Sequence, residues 1–301
     1  MRIRLSHSTM ELLFLCERKF QLVRLLEGER SQGTNPNFCF GHSYEAGCTT
    51  YFMTGDKDKA IFDAYLAYHG IEEEGHIAIP EDKKKNEWTA VNMVISSFQE
   101  LDNLRDEWEI AVFDGKPAAQ LSFKIDIDEV FYYVGYLDLA LRNKYTGRHA
   151  VLDFKTTGMS LTVLDPLYMN SGQLVGYSVV LDAIVGKDLV EYDIQYFVGQ
   201  LASLDGFTSK IKPLTFQKSL SDRLNFFITL GMDVNRIKSM MEMGIFPQRG
   251  SGCLKYNRPC PEFGTCGLHA LDVPKKEEPD TVEYQFVFQL EDLIKDHIER
   301  I

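Results

Sequence analysis

Apolar positions along the chain first fall into a helical rhythm near its start. Leu12, Leu13, Leu15, Phe20, Leu22 and Val23 give one apolar face. Ser8 is expected to cap this helix, with Glu11 completing a capping box three residues later and Gly28 ending it. After a polar loop at 30–37, a second helix is expected from Phe40 to Met53, stopped by Gly55. Residues 57–68 and 86–104 read as two further amphipathic helices, separated by a charged loop at 71–85.

The rhythm then shortens. Residues 120–130 largely alternate between apolar and polar, as a half-buried strand does. Residues 131–142 and 149–156 follow as strands rich in β-branched and aromatic side chains, with a turn containing Gly147 between them. A helix over 166–184, a strand over 192–198 and a long amphipathic helix over 220–243 come next. An extended piece and a short polar helix close the chain over 282–301. The sum is an α/β fold with a core of mixed strands flanked by helices and a helical N-terminal section. It reads as one domain over 1–301: a helical part to 110, a core over 111–245 and a cysteine-bearing tail over 246–301.

Composition narrows the picture modestly. With 301 residues, 45% apolar and 25% charged, the chain can bury one large core. No run of about 18 apolar residues offers a membrane span. Glu11 and Glu17 interrupt the apolar stretch near the N-terminus and no small-residue cleavage site follows, so a helix is expected there rather than a signal peptide, and the protein is expected in the cytoplasm. The formal net charge of −12 argues against a nonspecific coat for nucleic acid, though a carboxylate-rich site would itself supply part of that charge.

Two short strings carry the chemistry. Asp138 lies between Leu137 and Leu139 inside one expected strand, and Asp153-Phe154-Lys155 lies at the end of the next. Asp153 and Lys155 are two apart and so share one face. Charges in such apolar strands are costly unless paired or metal-bound. Carboxylates of this kind can hold Mg2+ or Mn2+, and a lysine beside them can orient or deprotonate a water and balance developing negative charge. On the helix that follows, Gln173 and Tyr177 stand one turn apart on one face.

The order GxLD, DxK and QxxxY resembles the RecB-like branch of the PD-(D/E)xK nucleases, over about residues 5–267. That resemblance implies a restriction-endonuclease-like mixed sheet, metal ligands at Asp138 and Asp153, a catalytic lysine at Lys155, and a helix motif at Gln173 and Tyr177 that lines the site. The branch carries a further ligand upstream in a Gly-x-x-x-His pattern. Counting from Gly41, Glu45 takes the histidine's place, and His42 ranks second.

There are six cysteines: Cys16, Cys39, Cys48, Cys253, Cys260 and Cys266. Three crowd into a glycine- and proline-bearing stretch near the C-terminal end, which suits a metal centre joined by distant Cys16. The arrangement of Cys16 with Cys253, Cys260 and Cys266 resembles the [4Fe–4S] clasp of the same branch. A structural Zn2+ site, with His269 able to replace one thiolate, is the competing reading.

These expectations converge on a metal-dependent DNA exonuclease of phage or bacterial recombination and repair, acting on single strands or ends. Arg18, Lys19, Lys210, Lys212, Arg223, Arg236 and Lys238 are candidate phosphate contacts. No GxxxxGK[ST] loop is present, so a helicase or other recombination protein would be a separate chain. An oligomer is consistent with some relatives. The competing classes are a non-catalytic DNA-binding module on the same fold and a structure-specific endonuclease.

Overall fold

The computed structural model describes residues 2–26, 36–70, 82–113, 115–186, 191–201, 210–255, 258–264, 266–267 and 282–301. Gly28, the acidic stretches 71–74 and 274–280, and His269 lie outside the described residues. In chain order the main elements are β1 (Ile3–Leu5), α1 (His7–Leu15), α2 (Pro36–Thr54), α3 (Lys57–His69), α4 (Glu87–Glu107), β2 (Trp108–Ile110), β3 (Ala119–Asp126), β4 (Phe131–Asn143), β5 (His149–Thr157), α5 (Gly172–Val185), β6 (Tyr192–Gln200), β7 (Lys210–Lys218), α6 (Leu220–Met243), β8 (Phe286–Gln289) and α7 (Leu290–Arg300). The protein is therefore mixed α/β, with a mixed sheet and flanking helices, as its pattern predicts.

Two compact units are distinguishable. One comprises Gln32–Leu121 and Tyr136–Ser219; the other comprises Met1–Ser31, Ser122–Gly135 and Leu220–Ile301.

In the first unit, β4 pairs antiparallel with β5, β5 pairs parallel with β6, and β6 pairs antiparallel with β7. The short β2 joins the far end of β4, Trp108 opposite Asn143. Helices α2, α3 and α4 pack around Phe40, Tyr44, Tyr51, Met93, Val94 and Leu101, and that core continues into Leu139, Leu152, Phe154 and Phe197 of the sheet. Asp56 caps α3 by accepting from the Lys59 amide at 2.9 Å, and Asn86 caps α4 by accepting from the Thr89 amide at 3.0 Å.

In the second unit, β8 pairs parallel with β3 over 123–126, and β1 pairs parallel with the first residues of β4. Helix α6 packs on α7, where buried Arg223 donates to His297 Nε2 at 3.1 Å and Phe227 meets the His297 ring edge-on. Gly135 is required by close approach: a Cβ there would lie 2.2 Å from the Phe123 ring.

Local departures from the expected elements have identifiable causes. The first helix is capped by Ser6 rather than Ser8, since the Ser6 amide donates to Thr9 Oγ1 at 2.6 Å. It ends at Leu15, leaving Cys16 in extended geometry before a short helical turn and a π turn over Gln21–Leu25. The helix expected over 166–184 is broken at Asn170 and Ser171, where Ser171 Oγ restarts it by accepting from the Gln173 amide. Strand β7 has no counterpart in the expected pattern.

Candidate active site

Strand β5 places the chemistry. Its register against β4 sets Leu139 opposite Leu152, which leaves Asp138 and Asp153 side by side at the next step. The Phe154 amide donates to Asp138 Oδ2 at 3.3 Å. Asp153 is 1% exposed and Asp138 8%. Successive side chains of β5 point to opposite faces. Phe154 therefore packs edge-on against Tyr44 of α2, while Asp153 and Lys155 face the other way, toward α5.

On that face Lys155 Nζ forms an ion pair with Asp153 Oδ2, and the Tyr177 hydroxyl donates to Asp153 Oδ1 at 2.5 Å. No hydrogen bond of ordinary geometry reaches Asp153 Oδ2 among the described residues. Glu45, on α2, is within electrostatic reach of Asp153, Lys155 and His42, and its Oε1 stands 3.5 Å from Gln120 Nε2.

Burial and crowding of like charge set the protonation of these groups. Burial, then the Asp153 and Glu45 carboxylates, pushes Asp138 up to about 9. Burial and then Asp153 also raise Glu45. Burial alone would pull Lys155 down, but Asp153, Asp138 and Glu45 together hold it above its ordinary value. The Tyr177 phenol is raised well above its usual range by burial and the neighbouring Asp153 charge. This is one coupled cluster in which a single ammonium faces three carboxyl groups.

The structure brings Asp138, Asp153, Lys155, Tyr177 and Glu45 together. It leaves two of the sequence candidates less engaged. Gln173 sits half-buried in the first turn of α5, and its side chain has no hydrogen bond among the described residues. His42 is exposed and stacks on Phe38 with ring centroids 6.0 Å apart.

Two residues escaped the sequence reading. Tyr196 of β6 is in register with Asp153, and its ring lies 5.8 Å from Lys155 Nζ. Tyr168 packs on Tyr196 with centroids 4.7 Å apart. Their contribution comes from the parallel pairing of β5 with β6, which no local motif announces.

Most of the candidate phosphate contacts are committed elsewhere. Arg223 is fully buried, Arg18 donates to the Cys266 carbonyl at 2.9 Å, Arg236 pairs with Glu17, and Lys238 pairs with Asp128 at 2.7 Å. Lys212 Nζ binds the Leu161 carbonyl at 3.3 Å and Asp165 Oδ1 at 3.2 Å. Lys19 is half-buried, and Lys210 is exposed.

Cys16, Cys253, Cys260 and Cys266 all lie in the second unit. A Cβ on Gly252 would lie 2.6 Å from Cys16 Cβ, the Cys260 amide donates to the Cys253 carbonyl at 2.8 Å, and Gln248 Nε2 lies 3.2 Å from Cys266 Sγ. Beside them buried Glu17 accepts from Arg249 at 2.8 and 2.9 Å and pairs with Arg236. Cys39 and Cys48 are buried in the helical core of the other unit. Among the described residues, no group of three or more His, Cys, Asp or Glu side chains is placed, as it stands, to hold a metal ion. Nor does any described helix have the length and apolarity to cross a membrane.

Residues 4–260 match the sequence profile of the PD-(D/E)XK nuclease superfamily. No functionally curated protein matches the chain. Among solved structures, a provisionally assigned exonuclease from Eubacterium rectale aligns at 12% identity and a TM-score of 0.47, covering 91% of this chain and 90% of that one. A second, named SSO0001, aligns at 12% identity and a TM-score of 0.27, covering 78% and 85%.

Proposed function

Because the chain belongs to the PD-(D/E)XK nuclease superfamily, we propose that it is a Mg2+- or Mn2+-dependent deoxyribonuclease that hydrolyses phosphodiester bonds from DNA ends. The observation that carries this reading is the Lys155–Asp153 ion pair set against buried Asp138 and half-buried Glu45.

The donor set fits a hard divalent ion. It consists of carboxylate oxygens, which such ions prefer. Among the described residues Asp153 Oδ2 has its ion pair with Lys155 but no hydrogen bond of ordinary geometry, and burial and then the neighbouring carboxylates hold Asp138 uncharged to about 9, a cost that a bound cation would offset. Glu45, Asp138 and Asp153 would hold the ion, with His42 as the nearest substitute. When bound, it would polarise the phosphate and lower the pKa of a water.

The rest of the chemistry belongs to the chain. The carboxylates around it hold Lys155 charged, which suits it to offset negative charge developing on the phosphate rather than to take a proton. Tyr177 fixes the orientation of Asp153 through its other oxygen. The rings of Tyr196 and Tyr168 floor the lysine side of the site.

Cys16, Cys253, Cys260 and Cys266 are proposed as ligands of a structural [4Fe–4S] cluster, with Zn2+ as the alternative. The support is thiolate chemistry and the approach of Cys16 to Gly252 and of Cys253 to Cys260. The setting that fits is a soluble protein of phage or bacterial recombination and repair, working with a separate helicase or recombination protein.

The test is incubation of end-labelled linear DNA with Mg2+ or Mn2+. Linear DNA is expected to be degraded, and Asp153→Ala or Lys155→Ala to lower the rate at least about a hundredfold. Full activity in both variants would sink the catalytic assignment. Binding without cleavage would favour a non-catalytic module, and cutting of circular DNA would replace the exonuclease with an endonuclease.

A further inference from the structure

The segment between Lys155 and α5 presents four apolar side chains outward. Met159, Val163, Leu167 and Met169 are each between 46% and 55% exposed, four within eleven residues. A cluster of this kind calls for a ligand or partner more than scattered single residues do. The segment is not loosely attached. Leu164 is fully buried beneath it, and Lys212 binds both the Leu161 carbonyl and Asp165. Lys218 Nζ binds the Met169 carbonyl at 2.7 Å.

Its inner anchor is Tyr168, which packs on Tyr196, and the Tyr196 ring in turn lies beneath Lys155. One aromatic ring therefore separates the rim's anchor from the lysine. A strand whose phosphate lay against Lys155 would carry its neighbouring bases past this rim.

Charge bears on which part of a strand the rim can hold. The chain carries −12 overall, and most of its candidate basic contacts are already paired within the protein. A phosphate-tracking groove would need free lysines and arginines. Apolar side chains such as leucine and methionine act instead on bases, by packing against or wedging between them where stacking is broken. Asp165, the rim's own carboxylate, is paired with Lys212 at 3.2 Å.

We infer that the 159–169 rim binds the unpaired bases of a single DNA strand beside the scissile phosphate, so that the site selects single strands or frayed ends over closed duplex. This rests on the nuclease reading above for the identity of the reacting phosphate.

Binding and hydrolysis are measured separately. A fluorescein-labelled 15-mer of deoxythymidine and a blunt duplex of equal length are titrated by fluorescence anisotropy in EDTA. The wild-type chain is compared with the double substitution Val163→Ser/Leu167→Ser, both at exposed positions. Hydrolysis of bis-p-nitrophenyl phosphate with Mn2+, a diester without bases, is followed in parallel. Single-strand affinity is expected to fall about tenfold or more in the variant, with duplex binding and diester hydrolysis unchanged. Equal single-strand affinity in the two proteins overturns the rim. So does wild-type self-association in sedimentation that the variant loses while keeping its DNA affinity, because the rim would then face a second copy. Wild type that hydrolyses neither the diester nor DNA would sink the nuclease reading alone, and the anisotropy result would still decide the rim.

Discussion

The hydroxyl of Tyr177 donates to Asp153 Oδ1 at 2.5 Å, joining α5 to β5 through a bond buried at both ends. Removing that hydroxyl leaves a buried carboxylate oxygen without its donor, a loss of about 1–3 kcal/mol. Tyr177→Phe is therefore expected to lower the urea midpoint by a matching amount. It should also raise the metal concentration needed for half-maximal activity, because Asp153 is no longer held in one orientation. A lowered midpoint with an unchanged metal requirement would make the tyrosine purely structural.

Asp138 gives the metal-free protein a pH dependence of definite sign. Its folded pKa of about 9 lies above the ordinary value of 3.8, with burial as the first cause and the Asp153 and Glu45 charges next. Stability that depends on the neutral carboxyl is complete below 3.8 and is lost as pH rises through about 9. In EDTA the urea midpoint is expected to decline across that window, and Asp138→Asn should flatten the decline. Mg2+ or Mn2+ should restore the wild type most at the alkaline end. A wild-type profile that matches Asp138→Asn would remove Asp138 from the coupled cluster.

Gly199 supports the site from behind. A Cβ there would come within 2.5 Å of Met93 Sδ and 2.9 Å of the Tyr44 ring. Tyr44 adjoins Glu45 in sequence, and its hydroxyl lies 3.0 Å from Ser97 Oγ in the buried core. Gly199→Ala is expected to cost about 1–3 kcal/mol by overpacking. Combining it with Met93→Ala should recover part of that loss, a coupling that a double-mutant cycle in chemical denaturation would read.

Around the cysteines the prediction separates ion pair from metal. Arg249 is the main cause that holds the Glu17 carboxyl below its ordinary 4.5. Its stabilising effect is present above that value and fades as pH falls through the lower folded one. Glu17→Gln should lose stability at neutral pH and show a blunter acid transition. If a [4Fe–4S] cluster is present, wild type and Glu17→Gln should both absorb near ~400 nm, while Cys253→Ala should not. Colourless anaerobic protein containing zinc would exchange one metal for the other.

Much of the fold was legible because its strands are strongly patterned. The expected strands at 131–142 and 149–156 differ from β4 and β5 by one residue at one end. Strand β7 was hidden by Pro213, which removes a ladder donor and reads as a breaker, yet it is tolerated because β7 lies at the end of the sheet order. The break before α5 was signalled by Asn170-Ser171-Gly172, a capping string overridden by the helical spacing on either side. Asp138, Asp153 and Lys155 could be read locally because charge inside an apolar strand is costly. Tyr196 could not, since its nearness to Lys155 arises from pairing across more than 40 residues.

Strands β5 and β6 run parallel, so the chain cannot turn back tightly between them and must travel over the sheet. That excursion contains the apolar rim and α5. Connections of this type are right-handed in about 98% of cases, a preference traceable to the chirality of L-amino acids. Handedness thus assigns the helix to one side of the sheet before any carboxylate is considered, and only side chains pointing to that side can meet Tyr177. Had the Asp153–Lys155 string slipped by one position along β5, the same residues would have faced the hydrocarbon interior behind Phe154, and no local substitution could bring the helix to them.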